Sequence, residues 1–293
     1  MYRNERGLRW SVAACAFVLV ACASSASKKP DASSPTGSQP GSEEFGLTTE
    51  QLASRVDTVE AAIRRCMTSA GFEYVPVDFA TIKAAMGSDK TKLGVSDSDF
   101  IAQFGYGIST RLGEPDPVVL NGKGEQNVAI YAALAPNDKI SYDRSLHGEN
   151  SNATFARALE SEDLSGTGGC TRTAIEQNFA PAELVATYVN PVDTRIASDK
   201  RMIGALAKWS KCVRAAGYEY DQPDDGPDDI VNRLAGILKG QDPKTLTGPA
   251  LDALTQLQGY ERAVAVTAHK CVTDLVEPVV AQIESEIFGA PQQ

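Results

Sequence analysis

The sequence predicts a mainly α fold: a helical domain of two unequal pseudo-repeated halves, each stapled by a disulfide. Three observations predict it. Apolar residues recur at steps of three and four over long stretches, and strand signals are few. The pattern C-x-x-x-A-G-[FY]-E-Y occurs twice, at residues 66–74 and 212–220. Each copy is followed further on by a second cysteine, Cys170 and then Cys271.

The elements follow in order. Thr48, Thr49, Glu50 and Gln51 read as a capping box. Leu52, Val56, Val59, Ile63, Met67 and Ala70 continue it as one apolar stripe. Residues 74–77 are extended, and Asp78 caps a short helix holding Ile82, Ala85 and Met86, closed by Gly87. Ser96 or Asp97 caps another with Phe100, Ile101 and Phe104. Residues 105–124, rich in glycine and proline, read as loop. Helices are expected at about 126–134, 137–146, 152–159, 170–179 and 181–189. Asp199 caps the second repeat helix, with Met202, Leu206, Trp209, Val213 and Ala216 inward. Residues 221–229 form an acidic loop before a helix carrying Ile230, Leu234, Ile237 and Leu238. From Pro249, well placed at a first helical position, a long pattern runs to Ile287, and Pro278 should kink or divide it.

Both copies of the repeat read as helix ends. Gly71 and Gly217 stand where a helix needs a left-handed residue just past its last turn. The residue after each glycine, Phe72 or Tyr218, has an apolar partner five positions back, Met67 or Val213. If the halves are structural copies, Cys66 pairs with Cys170 and Cys212 with Cys271. The competing reading is two buried free thiols per half. No two of the four have C-x-x-C spacing, which argues against a metal site.

Ahead of this domain, Arg3, Arg6 and Arg9 precede an apolar run of about residues 10–21, the layout of a signal peptide. The run is about half the ~20 residues of a spanning helix. It ends in Leu19, Val20, Ala21 and Cys22, which resemble a bacterial lipobox. The resemblance implies that Cys22 is acylated and becomes the mature N-terminus. Residues 22–46, rich in Ser, Pro, Gly and Lys, then read as a disordered tether reaching on the order of 25–30 Å. The expected organisation is a signal peptide at 1–21, the tether at 22–46, a first helical half at 47–190 and a second at 191–290.

The net charge is −10, and removing residues 1–21, with three Arg and one Glu, leaves −12. With no basic cluster, this argues against nucleic acid and against docking on anionic lipid. Membrane contact is expected through the lipid on Cys22 alone. The two histidines, His147 and His269, have no neighbour at ligand or triad spacing and read as surface or helix-end residues. No G-x-S-x-G elbow or phosphate loop is present. An EF-hand template started at Asp221 meets Pro223 at its third position and Asn232 at its twelfth, and so fails. No catalytic residue, metal or cofactor is therefore expected. Tyr74, Phe104, Tyr106, Tyr131 and Tyr142 could line a groove, with core packing as the plainer reading.

Residues 65–74, 104–107, 131–136, 142–148, 168–170 and 209–220 together resemble a group of actinobacterial lipoproteins with no agreed activity. The resemblance implies a helical, disulfide-bonded envelope protein and nothing about substrate. The functional expectation is a non-enzymatic envelope lipoprotein, a binding or accessory protein beside a machine such as a transporter. The alternatives are a carboxylate-dependent envelope enzyme, which needs two acids converging in a cleft, and a structural or wall-contacting spacer.

Overall fold

The computed structural model describes residues 44–88 and 95–288, so Leu19, Val20, Ala21 and Cys22 lie outside the described residues. Thirteen α-helices and no strand occur among the described residues. The chain enters on a 3-10 turn, Glu44–Gly46, and runs into α1 (Thr49–Ser69). There follow α2 (Phe79–Ala85), α3 (Asp97–Phe104), α4 (Pro117–Asn121), α5 (Glu125–Ala133), α6 (Pro136–His147), α7 (Phe155–Glu160) and α8 (Gly169–Glu176). The remainder is α9 (Pro191–Ser198), α10 (Lys200–Ala215), α11 (Asp225–Leu238), α12 (Pro249–Leu275) and α13 (Glu277–Phe288).

The caps form as the residues dictate. The Thr48 hydroxyl accepts the Gln51 N–H (3.3 Å), and the Gln51 amide oxygen accepts the Thr48 N–H (2.9 Å). Asp78, Ser96 and Asp199 cap α2, α3 and α10 through side-chain oxygens. At the ends of α1 and α10, Gly71 and Gly217 have φ of 87° and 95°. The next residues, Phe72 and Tyr218, donate their N–H back to Met67 O (2.9 Å) and Val213 O (3.1 Å). Both are Schellman endings.

Several expectations need correction. Residues 105–124 are not all loop, because Asp116 caps α4 with Pro117 at its first position. Residues 181–189 hold only the 3-10 turn Pro181–Glu183, whereas Asn190 and Pro191 open α9, a helix not expected. The acidic loop ends early: α11 already starts at Asp225. Ala70 and Ala216 lie outside the buried stripes and are exposed, each at a C-cap where the helix leaves the core. Pro278 acts as expected, standing second in α13 just after the break at Val276.

Two hydrophobic cores result. One gathers Leu52, Val56, Ile63 and Met67 of α1 with Ile82, Leu146, Leu159 and Ile175. The other gathers Met202, Trp209 and Val213 of α10 with Ile230, Leu257, Val264 and Ile283. The cysteines bridge as the repeat suggests, Cys66 to Cys170 (Cα–Cα 5.5 Å) and Cys212 to Cys271 (Cα–Cα 6.1 Å). The likeness stops there, since Cys170 lies in the first turn of α8 and Cys271 near the end of α12.

The lobes also exchange material. α3 packs on α12, and Tyr106, Ile108 and Leu112 join the second core although they lie inside the expected first half. Glu261 of α12, completely buried, holds this segment. It accepts the N–H groups of Ile108 (2.7 Å) and Ser109 (2.8 Å) and the Ser109 hydroxyl. Gly105 has φ of 67°, and a Cβ there would come within 2.9 Å of the Glu261 side chain, so glycine is required twice over.

Candidate functional site

Two surface depressions flank the first disulfide. The larger, about 520 Å³, lies between α1, α6 and α8 and is lined by Cys66, Ser141, Arg144, Ser145 and Thr173 among others. That volume would suit a small ligand, but ligand sites bury most of their guest. This one is open across much of its rim. The smaller lies on the other side of Cys66, with Arg65, Ser69 and Gln177. The face is shallow, and its fixed feature is the disulfide that pins α8 to the last turn of α1.

Nearby, α5 is the least embedded helix. Of its nine residues only Asn127 is buried, which leaves Val128 47% exposed, and Ile140 of α6 is 61% exposed. Asn127 ties α5 down by bonding both Val75 N (2.9 Å) and Val75 O (2.8 Å).

The titratable groups inside the protein serve the fold. Glu60, on the buried stripe of α1, accepts the Tyr74 hydroxyl (2.9 Å) and the Val77 N–H (3.0 Å). It thereby fixes the extended segment after the first repeat. Burial pushes its carboxyl up to about 7, against the opposing pull of the Val77 and Tyr74 bonds. Burial, then the charge of Glu60, holds the Tyr74 hydroxyl well above its ordinary value. His147 closes α6 as a helix-end residue, but it is buried rather than on the surface. Neither ring nitrogen has a hydrogen-bond partner among the described residues. Burial, with Lys123 nearby, lowers it to about 4, so it stays neutral. His269 sits mid-helix in α12, half-buried.

No group of three or more His, Cys, Asp or Glu that could hold a metal ion occurs among the described residues. The five aromatics do not line a common groove. Tyr74 and Tyr142 are buried in the first core, with Tyr131 edge-on to Tyr142 (5.7 Å). Phe104 and Tyr106 belong to the segment that crosses to α12. Two acids are electrostatically coupled: burial first, then the charge of Glu162, raises the Asp193 carboxyl to about 7. Neither lines the depressions beside the disulfide. Sequence reasoning missed Glu60 and Glu261, and only their positions on otherwise apolar helix faces could have shown them.

No family model, curated protein or solved structure matches the chain.

Proposed function

We propose that the protein is an extracytoplasmic lipoprotein of the cell envelope, anchored to the membrane through acyl chains on Cys22. In this reading it works as a non-enzymatic binding or accessory protein. The observation that carries it is the division of labour among the cysteines. Cys22 stands at the end of a lipobox-like segment, while Cys66, Cys170, Cys212 and Cys271 are all consumed in two disulfides. Disulfides persist on the oxidising side of a membrane. More than one acyl chain would make the anchoring stable, since a single chain binds only marginally. The open, shallow face around Cys66 and Cys170 supports contact with another macromolecule over enclosure of a small molecule.

The test is metabolic labelling with an alkyne-bearing palmitate analogue, followed by fractionation. Labelled, membrane-bound wild type and unlabelled, released Cys22→Ala are expected. An unlabelled wild type, or label that survives in Cys22→Ala, would overturn the anchor. Cross-linking of the full-length protein in its own membranes, read by mass spectrometry, tests the accessory role. A reproducible membrane partner is expected, and a clean negative would refute that role.

A further inference from the structure

The two disulfides differ in where their sulfurs stand on the helices. Cys66, Cys212 and Cys271 lie in the closing turns of α1, α10 and α12, which end at Ser69, Ala215 and Leu275. Of the four bridging cysteines only Cys170 opens a helix, as the second residue of α8. Gly168 caps that helix without a side-chain hydrogen bond, so the first-turn N–H groups keep their partial positive charge beside Cys170. A thiolate is stabilised at a helix N-terminus and disfavoured by the carbonyls of a C-terminus. In the first bridge Cys170 is therefore the sulfur suited to leave with an electron pair. In the second bridge neither sulfur has that support.

Access differs in the same sense. Cys66 lines both depressions beside the first disulfide, the larger of about 520 Å³ and the smaller of about 210 Å³. Cys170 shares the larger, whereas the smaller is lined by Cys66 and not by Cys170. Exchange needs a thiolate to reach one sulfur while the other leaves. The smaller depression, with Arg65, Ser69 and Gln177 on its walls, gives such an approach to Cys66. Cys212 and Cys271 line neither depression. Opening the first bridge also leaves α8 with other anchors. Ala174 and Ile175 stay in the first core, and the Thr171 hydroxyl donates to Leu146 O (2.8 Å). What is lost is the tie between α8 and the end of α1.

We propose that Cys66–Cys170 is a thiol–disulfide exchange site for a dithiol partner, with Cys66 the sulfur attacked and Cys170 the leaving thiolate. One thiolate of the partner bonds to Cys66 Sγ, the Cys66–Cys170 bond breaks, and its electron pair goes to Cys170. The partner's second thiolate then attacks the partner sulfur of that mixed disulfide and releases Cys66. The partner departs as a disulfide, and its two electrons and two protons end on Cys66 and Cys170. Cys212–Cys271 stays closed as the structural bridge. Access and leaving group set the rate of exchange, not the stability each bridge lends the fold. The exchange does not require an acylated Cys22.

The test uses the folded full-length protein with glutathione as the probe, followed by acid quenching, alkylation and peptide mapping over time. Glutathione joined to Cys66 beside an alkylated Cys170 is expected, forming at least about tenfold faster than Cys212–Cys271 opens. In concentrated denaturant the two bridges should open within about threefold of each other, because the helix ends and depressions are gone. In protein whose first bridge has been opened with dithiothreitol, alkylation of Cys170 should be half-maximal below the ordinary thiol value of about 8.5 and below that of Cys66. Ser69→Trp, exposed on the smaller depression, should slow attack on Cys66 by about fivefold and leave Cys212–Cys271 unchanged. Gln177→Trp, on the same depression, gives an independent reading should Ser69→Trp fail to fold. Equal rates in the folded protein, an adduct on Cys170 instead of Cys66, or an unaltered rate in the folded tryptophan variant would overturn the exchange site. So would a preference that survives denaturation, which would belong to local sequence and not to the fold.

Discussion

Replacing Glu261 by Gln should detach the segment that crosses between the lobes. In the wild type, Glu261 Oε1 accepts the Ile108 N–H at 2.7 Å, and Oε2 accepts the Ser109 N–H at 2.8 Å and the Ser109 hydroxyl. A glutamine of the same shape brings one oxygen and one NH₂. Whichever way it turns, at least one backbone N–H faces another donor. A stranded buried donor costs about 1–3 kcal/mol, and exchanging a carboxylate for a neutral amide weakens the remaining bonds by ~1 kcal/mol. The expected loss is therefore about 2–4 kcal/mol. Glu261→Ala strands all three donors and should cost more, about 4–5 kcal/mol. Urea unfolding measures the loss, and hydrogen exchange locates it. Protection should fall first across residues 105–112 and in α3, while α1 and α8 stay protected. A loss below about 1 kcal/mol for Glu261→Gln, or loosening that begins in the first core, would refute the reasoning.

Other outcomes follow from the same structure. Loop closures of 104 and 59 residues give the disulfides about 4.7 and 4.3 kcal/mol in the chain-entropy picture, so Cys66→Ala/Cys170→Ala should cost slightly more than Cys212→Ala/Cys271→Ala in urea titrations. Gly71→Ala and Gly217→Ala should each cost ~1 kcal/mol by thermal unfolding, and similar amounts, because both have positive φ and a Cβ at either would meet nothing within 4 Å. Glu60 has its carboxyl raised from 4.5 to about 7, so the folded state holds its proton between those values and stability falls as pH rises through that window, by up to ~3 kcal/mol. Glu60→Gln should remove that share of the slope in denaturation midpoints measured from pH 4.5 to 7.5. His147 shifts the other way, from 6.5 to about 4, so its contribution is present above 6.5 and is lost as pH falls toward 4. His147→Leu should therefore be more stabilising, relative to wild type, at pH 4.5 than at pH 7.5.

Local signals carried much of the fold. The capping residues Thr48, Asp78 and Asp199 and the periodic stripes of α1, α10 and α12 can all be read one turn at a time. The helices that escaped, α4 and α9, open with the same short signature, an Asp or Asn cap followed by proline. Each is too short for periodicity to register, so the cap was the whole signal. The repeat suggested the disulfide partners because the cysteine and the glycine that ends its helix travel together. Long-range polar contacts were illegible for a physical reason. Glu261 and Ser109 are 152 residues apart, and a carboxylate gives no sign in sequence of the backbone N–H groups it will meet. The bond from the Phe45 N–H to the Glu162 carboxylate was hidden likewise, since it depends on non-glycine residues taking a glycine's conformation.

The crossing segment also sets an order of events for a chain that emerges from its N-terminus. Cys66 and Cys170 are both out before Cys212 appears, so the first pair can close without a competing thiol from the second. Phe100, Phe104 and Tyr106 wait longer. They emerge with the first lobe, yet their seat is on α12, whose Glu261 arrives about 150 residues later. During that interval a finished first lobe carries an uncovered aromatic strip, the kind of surface that invites aggregation. The period of greatest hazard for this protein therefore falls between the closing of its first disulfide and the arrival of its last long helix.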